Sequence, residues 1–283
     1  MKPFDYFEPA TLDEALDLLH HYGEKARVLA GGTDLVVQMK QGKVQPQIVI
    51  SLRRIQDLNF IDINTGIRMG PLTSLRQIAA HPRFTGRLEL LREAALAVGD
   101  KQIRNLATVG GNIANASPSA DMPPALMALG ARLTLRKKNE ERIIGLNELC
   151  LGPFCTQVKT EELITEISIP SYAEGSGAYG WAPKRTAVDE TLVGVAVWLV
   201  GDAAKKICQK VSIVLGSVAP APLRAKEAEA FLLGREWNPE NFRTAGEIAS
   251  REASPRSRAD YRRTMVGVLT REALVKASIR ATF

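Results

Sequence analysis

Apolar residues recur at regular spacings along the chain, and the spacing predicts which segments form helices and which form strands. Near the start, Thr11 and Glu14 have the spacing of a capping box, and leucines and alanines then follow at helical intervals until Gly23. The short apolar runs "ARVLA" and "IVISL" are typical of buried strands. Between them, Asp34 is positioned to cap a short helix over residues 35–41. The pattern predicts a small strand–turn–helix–strand unit.

A second unit is predicted from residue 58 onward. The strand-like segments "NFIDI" and "GIRMG" precede two helices, of which the first ends at Pro82 and the second at Gly99. A run rich in glycine and asparagine, which we interpret as a loop, leads to a helix at "PPALMALG" and to strands at "ARLTLR", "RIIGL" and "ELITEISIP". Pro170 and the small residues 175–177 mark the end of this unit.

The hydrophobic pattern changes after this boundary. The segments "GAYGWAPK", "TLVGVAVWLV" and "ICQKVSIVLGSV" predict an antiparallel meander, and three helical segments close the chain. Strands followed by helices are typical of an α+β domain. We therefore predict an α+β fold with two domains. Residues 1–175 form the first, with subdomains of about 1–57 and 58–175, and residues 176–283 form a smaller domain of antiparallel sheet and helices.

The composition is that of an ordinary globular protein. The 283 residues are 45% hydrophobic and 24% charged. No apolar run approaches the roughly 18 to 20 residues that span a bilayer. The N-terminus also lacks the apolar core of a signal peptide. These features predict a cytoplasmic protein without a membrane span.

Charge and cysteine content limit the kinds of partner and metal. The net charge is +6, but Lys and Arg are dispersed among acidic residues and lack interleaved aromatic side chains, so we expect no nucleic acid partner. Solvated faces, or a rim that docks an acidic partner, both fit this charge. The three cysteines are too few for a disulfide framework or a four-cysteine site, so no metal site is predicted; they are Cys150, Cys155 and Cys208.

Two segments carry the candidate chemistry, "AGGTDLVVQMK" at residues 30–40 and "ATVGGNIANASPSAD" at residues 107–121. Adjacent glycines let backbone N–H groups come close to a phosphate, and a helix that begins after such a turn adds partial positive charge. The Thr33 hydroxyl and the Asn112 amide add further donors, and the Asp121 carboxylate suits paired ribose hydroxyls. The two segments together predict a cradle for the phosphates of one nucleotide cofactor.

Each segment alone is weak evidence, because Gly-Gly turns occur in every fold, and neither is a Rossmann fingerprint or a P-loop. In this order, and together with "MGPLTSL" and "QIRNLATVGGNIANASPSAD", they resemble the FAD-binding medium subunit of the molybdenum hydroxylases, the group with xanthine dehydrogenase, carbon monoxide dehydrogenase and nicotinate dehydrogenase. The resemblance runs from "FDYFEPATLDEALDLL" to "YRRTMVGVLTREAL". It implies a two-part FAD-binding domain of the PCMH/vanillyl-alcohol-oxidase-like type, followed by the smaller α+β domain.

The resemblance also implies positions for the cofactor. The two glycine-containing segments would enclose the FAD pyrophosphate, Asp121 would hold the adenosine ribose, and Gly99 would pass near the flavin. Ile164 would lie near the flavin or adenine rings, and Lys184 would reach the flavin from the C-terminal domain. The implied cofactor-binding residues are Leu29, Ala30, Gly31, Gly32, Thr33, Asp34, Leu35, Gly99, Thr108, Val109, Gly110, Gly111, Asn112, Asp121, Ile164 and Lys184.

Four of these residues also have a plain structural interpretation. Ile164 can be a core residue of a strand, and Lys184 can be a surface charge. Gly99 can end a helix, and Asp121 can be an N-cap. Some relatives carry an aromatic residue at the position of Val98, so the stacking of the flavin is left unassigned. The chain also lacks the cysteine-bearing insertion of the benzoyl-coenzyme-A-reducing relatives, so no extra iron–sulfur cluster is expected.

The implied function is electron transfer through non-covalently bound FAD, since no histidine in either segment offers a linkage point. A large subunit would carry molybdopterin and a small subunit the [2Fe-2S] clusters, in a dimer of heterotrimers with an acceptor such as NAD. No catalytic residue is expected, and we interpret the three histidines as structural or solvated. Two alternatives are a self-contained FAD oxidase of the related fold and a scaffold subunit that has lost its cofactor.

Overall fold

The computed structural model of the protein describes residues 1–170, 175–186, 189–202 and 206–281. Within these ranges the chain forms α-helices and four β-sheets, one parallel and three antiparallel. The predicted α+β class is confirmed. The segment that marks the predicted domain boundary lies partly outside the described residues.

The first unit is a small parallel sheet with a helix packed against it. Its elements are β1 (Asp5–Phe7), α1 (Leu12–Tyr22), β2 (Ala26–Leu29), α2 (Leu35–Lys40) and β3 (Ile48–Ser51). The strand order is β1, β3, β2, and both pairs are parallel. Thr11 and Glu14 form the predicted capping box, and the leucines of α1 are buried against the isoleucines of β3. Side-chain packing at helical spacing therefore holds the helix on the sheet.

One detail of this unit differs from the prediction. Asp34 occupies the N-cap position of α2, but its side chain makes no capping hydrogen bond. Its backbone is in the right-handed helical region rather than in the extended conformation of a typical N-cap, so its carboxylate does not face the first-turn N–H groups. The Val36 N–H instead donates to the Gly32 carbonyl at 3.1 Å, and the Leu35 N–H is left without an acceptor among the described residues.

The second unit is a five-stranded antiparallel sheet with helices on it. Its strands are β4 (Ile61–Ile63), β5 (Ile67–Met69), β6 (Arg132–Lys137), β7 (Glu140–Gly145) and, after the hairpin of β8 (Cys150–Gly152) and β9 (Cys155–Thr156), β10 (Leu163–Ile169). Its helices are α3 (Leu75–Ala80), α4 (Glu89–Ala97), α5 (Lys101–Leu106), α6 (Val109–Ala114), α7 (Met122–Ala128) and α8 (Leu146–Leu149). The strand order β4, β5, β10, β6, β7 puts the last strand in the centre, where it closes the unit.

Two of these helices were not predicted: α5 lies just before the glycine-asparagine run, and α6 lies inside it and contradicts its interpretation as a loop. α5 has only six residues, none of them buried, and the Asp100 side chain caps it by accepting from the Ile103 N–H at 2.8 Å. α6 contains two adjacent glycines, which lower helix propensity, but Val109 and Ile113 are buried in the core. Tertiary packing and capping therefore override the weak local preference.

The C-terminal domain is a four-stranded antiparallel sheet covered by three helices. Its strands, in sheet order, are β11 (Gly175–Pro183), β12 (Thr191–Asp202), β13 (Ile207–Gly216) and β14 (Leu223–Arg224). Its helices are α9 (Lys226–Leu232), α10 (Pro239–Glu252) and α11 (Ala259–Arg280). The last two helices cross closely at glycines, since a Cβ on Gly246 would lie 2.5 Å from the Gly267 carbonyl oxygen.

The two domains share one core. Tyr179 and Trp198 of the C-terminal sheet are buried among the apolar side chains of α4 and α7. On the same side, Glu93 of α4 accepts from the Tyr179 backbone N–H at 2.7 Å and from the Arg280 guanidinium at 2.6 Å. The C-terminal sheet therefore has a fixed position beside α7 and the residue that precedes it, Asp121.

Candidate cofactor-binding site

A cavity of about 650 Å³ lies where the first unit, the second unit and the start of β12 meet. We call it the cofactor cavity. Its volume is within the range of roughly 300 to 1,000 Å³ that small-molecule and cofactor sites have. Both glycine-containing segments line it, so the fold brings together what the sequence separates. The predicted residues that line it are Ala30, Gly31, Gly32, Thr33, Asp34, Leu35, Gly99, Thr108, Gly110, Gly111, Asn112, Asp121 and Ile164.

The first segment presents a series of free donors to this cavity. In the part of the chain that the structure describes, the backbone N–H groups of residues 31–35 donate to no protein acceptor. These groups follow one another between the end of β2 and the first turn of α2. Successive N–H groups at the start of a helix form a concave anion-binding surface. The segment therefore has the donors that a phosphate requires.

The glycines of this segment are also required by packing. A Cβ on Gly31 would lie 1.9 Å from the Leu106 carbonyl oxygen, at the end of α5. Gly32 has a φ of 81°, in the left-handed region that favours glycine. The Arg53 guanidinium holds the segment from outside by donating to the Ala30 and Gly31 carbonyls at 3.4 and 3.2 Å. The backbone at Gly31 therefore packs directly against the end of α5, and no side chain fits between them.

The second segment differs from the prediction in how it uses its N–H groups. The Gly110 N–H donates to the Pro71 carbonyl at 2.9 Å, and the Gly111 N–H donates to Thr108 Oγ1 at 3.1 Å. Both groups, which the sequence suggested as phosphate donors, are therefore engaged within the protein. A Cβ on Gly110 would lie 2.5 Å from the Pro71 side chain, so this glycine serves packing.

Side chains of α6 remain free to bind a ligand. Because Thr108 Oγ1 accepts a hydrogen bond, its hydroxyl hydrogen can still be donated. Oδ1 of Asn112 is buried and has no hydrogen-bond partner among the described residues. Buried polar atoms are normally paired, so an unpaired amide oxygen on the cavity wall indicates a partner from outside the chain.

Gly99 lies in the turn between α4 and α5, and it lines the cavity. Its φ is 49°, and Val98 before it is the C-cap of α4. Arg104 donates to the Val98 and Gly99 carbonyls at 3.0 and 2.6 Å and so fixes the turn. Gly99 therefore follows the end of a helix, as its structural interpretation expects, and also borders the cavity.

Asp121 is nearly buried and lies on the cavity wall. It occupies the N-cap position of α7, but its side chain makes no capping bond and instead accepts from the Tyr179 hydroxyl at 2.7 Å. Burial raises the pKa of this carboxyl to about 6, although Tyr179 and the neighbouring Thr191 both act to lower it. Thr191 Oγ1 lies beside the carboxyl without a regular hydrogen bond.

Three of the predicted residues lie outside the lining of this cavity. Leu29 is the last residue of β2, and Val109 is fully buried in the core. Lys184 is exposed and lines a second cavity, which adjoins the first one at shared residues. Ile164 belongs to the apolar core, as its structural interpretation expects, and it also lines the cofactor cavity.

Sequence reasoning missed the residues that hold the site in shape. Arg53, Arg104 and Tyr179 act through contacts with residues that are distant in sequence or with backbone carbonyls, and neither kind of contact leaves a motif. Asp100 could have been found, because it stands three residues before Ile103 in a capping position. The described residues hold no group of three or more His, Cys, Asp or Glu side chains that could bind a metal.

The fold and the cavity have the features of a protein that binds a phosphate-bearing cofactor. Comparison with known families gives two matches along the chain. Residues 2–172 match the FAD-binding domain in molybdopterin dehydrogenase, and residues 178–277 match the CO dehydrogenase flavoprotein C-terminal domain. The first match alone covers more than half of the chain.

Individual relatives are similar over nearly their whole length. The carbon monoxide dehydrogenase medium chain of Afipia carboxidovorans is 34% identical, with 98% of each chain covered. The glyceraldehyde dehydrogenase medium chain of Sulfolobus acidocaldarius is 31% identical, with 95% of this chain and 96% of that one covered. Among solved structures, carbon monoxide dehydrogenase from Hydrogenophaga pseudoflava has a TM-score of 0.92 at 33% identity, with 99% of each chain covered.

The chain therefore belongs to the family of FAD-binding medium subunits of molybdopterin-dependent dehydrogenases and hydroxylases. The predicted resemblance, the two-part FAD-binding fold with a smaller C-terminal domain, and the FAD cofactor are confirmed. No helix among the described residues is long and apolar enough to cross a membrane.

Proposed function

We propose that the cofactor cavity binds FAD non-covalently, and that the chain passes electrons from [2Fe-2S] clusters of a small subunit to an external acceptor such as NAD. The observation that carries the proposal is the series of free N–H groups at residues 31–35, in the same cavity as the unpaired Asn112 amide. Donors without protein acceptors fit a diphosphate, and the unpaired Asn112 Oδ1, which can only accept, fits a hydroxyl of the attached ribose.

Each part of the cavity has a distinct role in this proposal. The N–H groups of residues 31–35 and the Thr108 hydroxyl neutralise the pyrophosphate, because N–H and O–H donors near an anion act strongly in a site shielded from water. The Asp121 carboxylate accepts from ribose hydroxyls. Gly99 and Ile164 border the space left for a ring system. Bound FAD supplies the chemistry, since it accepts single electrons and can release two as a hydride.

We further propose that the chain works with a molybdopterin-binding large subunit and an iron–sulfur small subunit, in a dimer of heterotrimers in the cytoplasm. The relatives it resembles are named as medium chains or subunits, which supports an assembly with other subunits. The cysteines Cys150, Cys155 and Cys208 are all free, and free thiols fit a reducing compartment.

Two measurements test this function. Acid precipitation of the purified chain is expected to release all yellow colour into the supernatant as FAD; colour in the pellet would show covalent attachment, and FMN would remove the ribose argument. The purified chain, free of molybdenum and iron, is expected to turn over no hydroxylase substrate, and its FAD should bleach with substrate only after the partner subunits are restored. Substrate turnover by the chain alone would favour the self-contained oxidase instead.

A further inference from the structure

A second cavity of about 470 Å³ adjoins the cofactor cavity and has a different character. The two share Ser117, Ser119, Glu190 and Thr191 on their walls. The second cavity is lined by residues of the C-terminal domain and by the end of the glycine-asparagine segment. We call it the arginine cavity, and its charged lining residues are Lys184, Glu190, Arg256, Arg258 and Arg262.

The positive charge in this cavity is not neutralised by the protein. Four basic residues and one acidic residue line it, and in the ranges that the structure describes no ion pair joins the basic groups to any carboxylate. Nε of Arg262 is buried without a hydrogen-bond partner, while its Nη1 donates to the Ser217 carbonyl. Burial and the nearby Arg258 lower the pKa of Arg262, which indicates that like charges are held together there.

Backbone and hydroxyl groups add donors at the same place. The first residue of the 22-residue helix α11 follows Arg258, which occupies the N-cap position without a side-chain cap. A helix N-terminus carries partial positive charge and free N–H groups. The hydroxyls of Ser117 and Ser119, which also line the cavity, share a hydrogen bond of 3.1 Å, and this leaves one hydroxyl hydrogen to donate. Unpaired arginines, hydroxyls and a helix start form the donor set that a phosphate group selects.

The backbone around the cavity is held in a costly conformation. Phe154, Ser217 and Arg258 all line it, and their φ angles are 57°, 65° and 50°. Non-glycine residues rarely adopt this left-handed region, and such strain clusters at ligand sites.

We propose that the arginine cavity binds the phosphate group of a small molecule other than FAD, in a position next to the cofactor. The shared chemistry is a phosphate dianion or diphosphate, which can belong to inorganic phosphate, to pyrophosphate or to a nucleotide. The walls that the two cavities share would let the rest of such a ligand extend toward FAD. The three arginines that carry the proposal, Arg256, Arg258 and Arg262, do not line the cofactor cavity, so they can be changed without touching its walls.

The test uses the full chain loaded with FAD and isothermal titration calorimetry with inorganic pyrophosphate and with ADP. The variant is Arg256→Gln with Arg258→Asn; asparagine is chosen because it tolerates the left-handed backbone at position 258. The control is Arg243→Gln with Arg251→Gln, which removes the same charge from exposed positions of α10 outside the cavity. Bound FAD is measured by absorbance throughout.

We expect pyrophosphate to bind the wild-type protein without displacing FAD. The cavity variant should bind pyrophosphate about tenfold to a hundredfold more weakly, as expected for charge-assisted bonds, while the control variant binds normally. Tighter binding of ADP than of pyrophosphate would identify a nucleotide as the source of the phosphate, and equal binding would identify the phosphate alone. Three results would overturn the proposal: no saturable binding to the wild type, equal weakening in the control, or loss of FAD from the cavity variant.

Discussion

The hydroxyl of Tyr179 donates a hydrogen bond to Asp121 Oδ1 at 2.7 Å. Tyr179 belongs to β11 of the C-terminal domain, whereas Asp121 lies on the wall of the cofactor cavity. Both residues are buried. The C-terminal domain thus orients the one carboxylate that we assign to the ribose, and this assignment predicts that cofactor binding depends on the packing between the domains.

Removing this hydrogen bond should change cofactor binding more than folding. Tyr179→Phe keeps the ring that fills the core but takes away a donor that lowers the pKa of Asp121. We expect the pKa of Asp121 to rise above its present value of about 6, and FAD to bind several-fold more weakly near neutral pH. FAD dissociation constants measured across pH values check this.

The control is Tyr261→Phe, because Tyr261 is half exposed and lies on α11 away from the cofactor cavity. Its FAD affinity and pH profile should match those of the wild type. A Tyr179→Phe protein that retains the wild-type pH profile would show that this tyrosine serves packing only.

Asp121 should make stability and FAD affinity depend on pH in opposite directions. The pKa of an aspartate in an unfolded chain is about 3.8 and that of Asp121 in the folded protein is about 6, so between these pH values the folded chain holds a proton that the unfolded chain has lost. The contribution of this group to the free energy of unfolding therefore falls as pH rises through that window. Ribose hydroxyls need the carboxylate as an acceptor, so FAD affinity should rise over the same window.

Asp121→Asn should remove both trends, as measured by urea unfolding of the FAD-free protein and by FAD titration. Unchanged trends in this variant would assign them to other groups.

Asn112 should be a direct contact to the cofactor. Asn112→Ala removes an amide whose oxygen is unpaired in the described structure, so the variant should lose no internal hydrogen bond of that atom. We expect FAD binding to weaken by about 1 to 3 kcal/mol, since the ligand loses one partner in a charged site. Equilibrium dialysis measures the change, and thermal unfolding confirms the fold.

Asn139→Ala, at an exposed turn between β6 and β7, is the matched control. Stoichiometric FAD with wild-type affinity in Asn112→Ala would place the pyrophosphate and ribose elsewhere.

The sequence was sufficient for elements whose pattern is strong and local. The capping box at Thr11, the long helices α10 and α11, and the strands of the C-terminal meander all follow from spacing and caps, and the structure contains them. The two glycine-containing segments also meet at one cavity, as their shared chemistry predicts. Local periodicity therefore predicts these helices and strands, and cofactor chemistry predicts that the two segments meet.

The sequence was insufficient where contacts between distant residues decide the outcome. The helix α6 forms despite its Gly-Gly pair because Thr108 caps it and the Thr73 carbonyl accepts from the Val109 N–H at 2.9 Å. The same contacts engage N–H groups that a local interpretation assigns to phosphate. Asp121 depends on Tyr179, which lies 58 residues further along the chain. Such pairings depend on how the domains pack, so they cannot be predicted from the spacing of residues along the chain.

The ion pair between Arg280 and Glu93 should stabilise the contact between the two domains. Arg280, the last residue of α11, donates to the Glu93 carboxylate at 2.6 Å and to the Gly177 carbonyl at 2.7 Å. Both side chains are mostly buried. We expect Arg280→Ala to lower the free energy of unfolding by about 1 to 3 kcal/mol, because a buried carboxylate is left short of a donor. Denaturant unfolding measures this, with Arg271→Ala, an exposed position of the same helix, as the control. Equal midpoints for the two variants would contradict a stabilising role.

Gly31 and Gly111 should differ in how alanine affects stability, although both belong to cofactor motifs. At Gly31 a Cβ would lie 1.9 Å from the Leu106 carbonyl oxygen, which is backbone and cannot move aside cheaply. We expect Gly31→Ala to lower both the midpoint of thermal unfolding and FAD affinity, because the segment must shift.

At Gly111 a Cβ would lie 3.0 Å from Thr108 Oγ1 and 3.9 Å from the Ala30 side chain, and alanine favours a helix by about 1 kcal/mol over glycine. Gly111→Ala should therefore keep near-normal stability but bind FAD more weakly, since the methyl group extends into the space between the two segments. Gly111→Val, with its larger branched side chain, should abolish FAD retention. Thermal unfolding of the FAD-free variants and FAD titration separate the two effects. Full FAD affinity in Gly111→Val would show that the pyrophosphate does not lie beside α6.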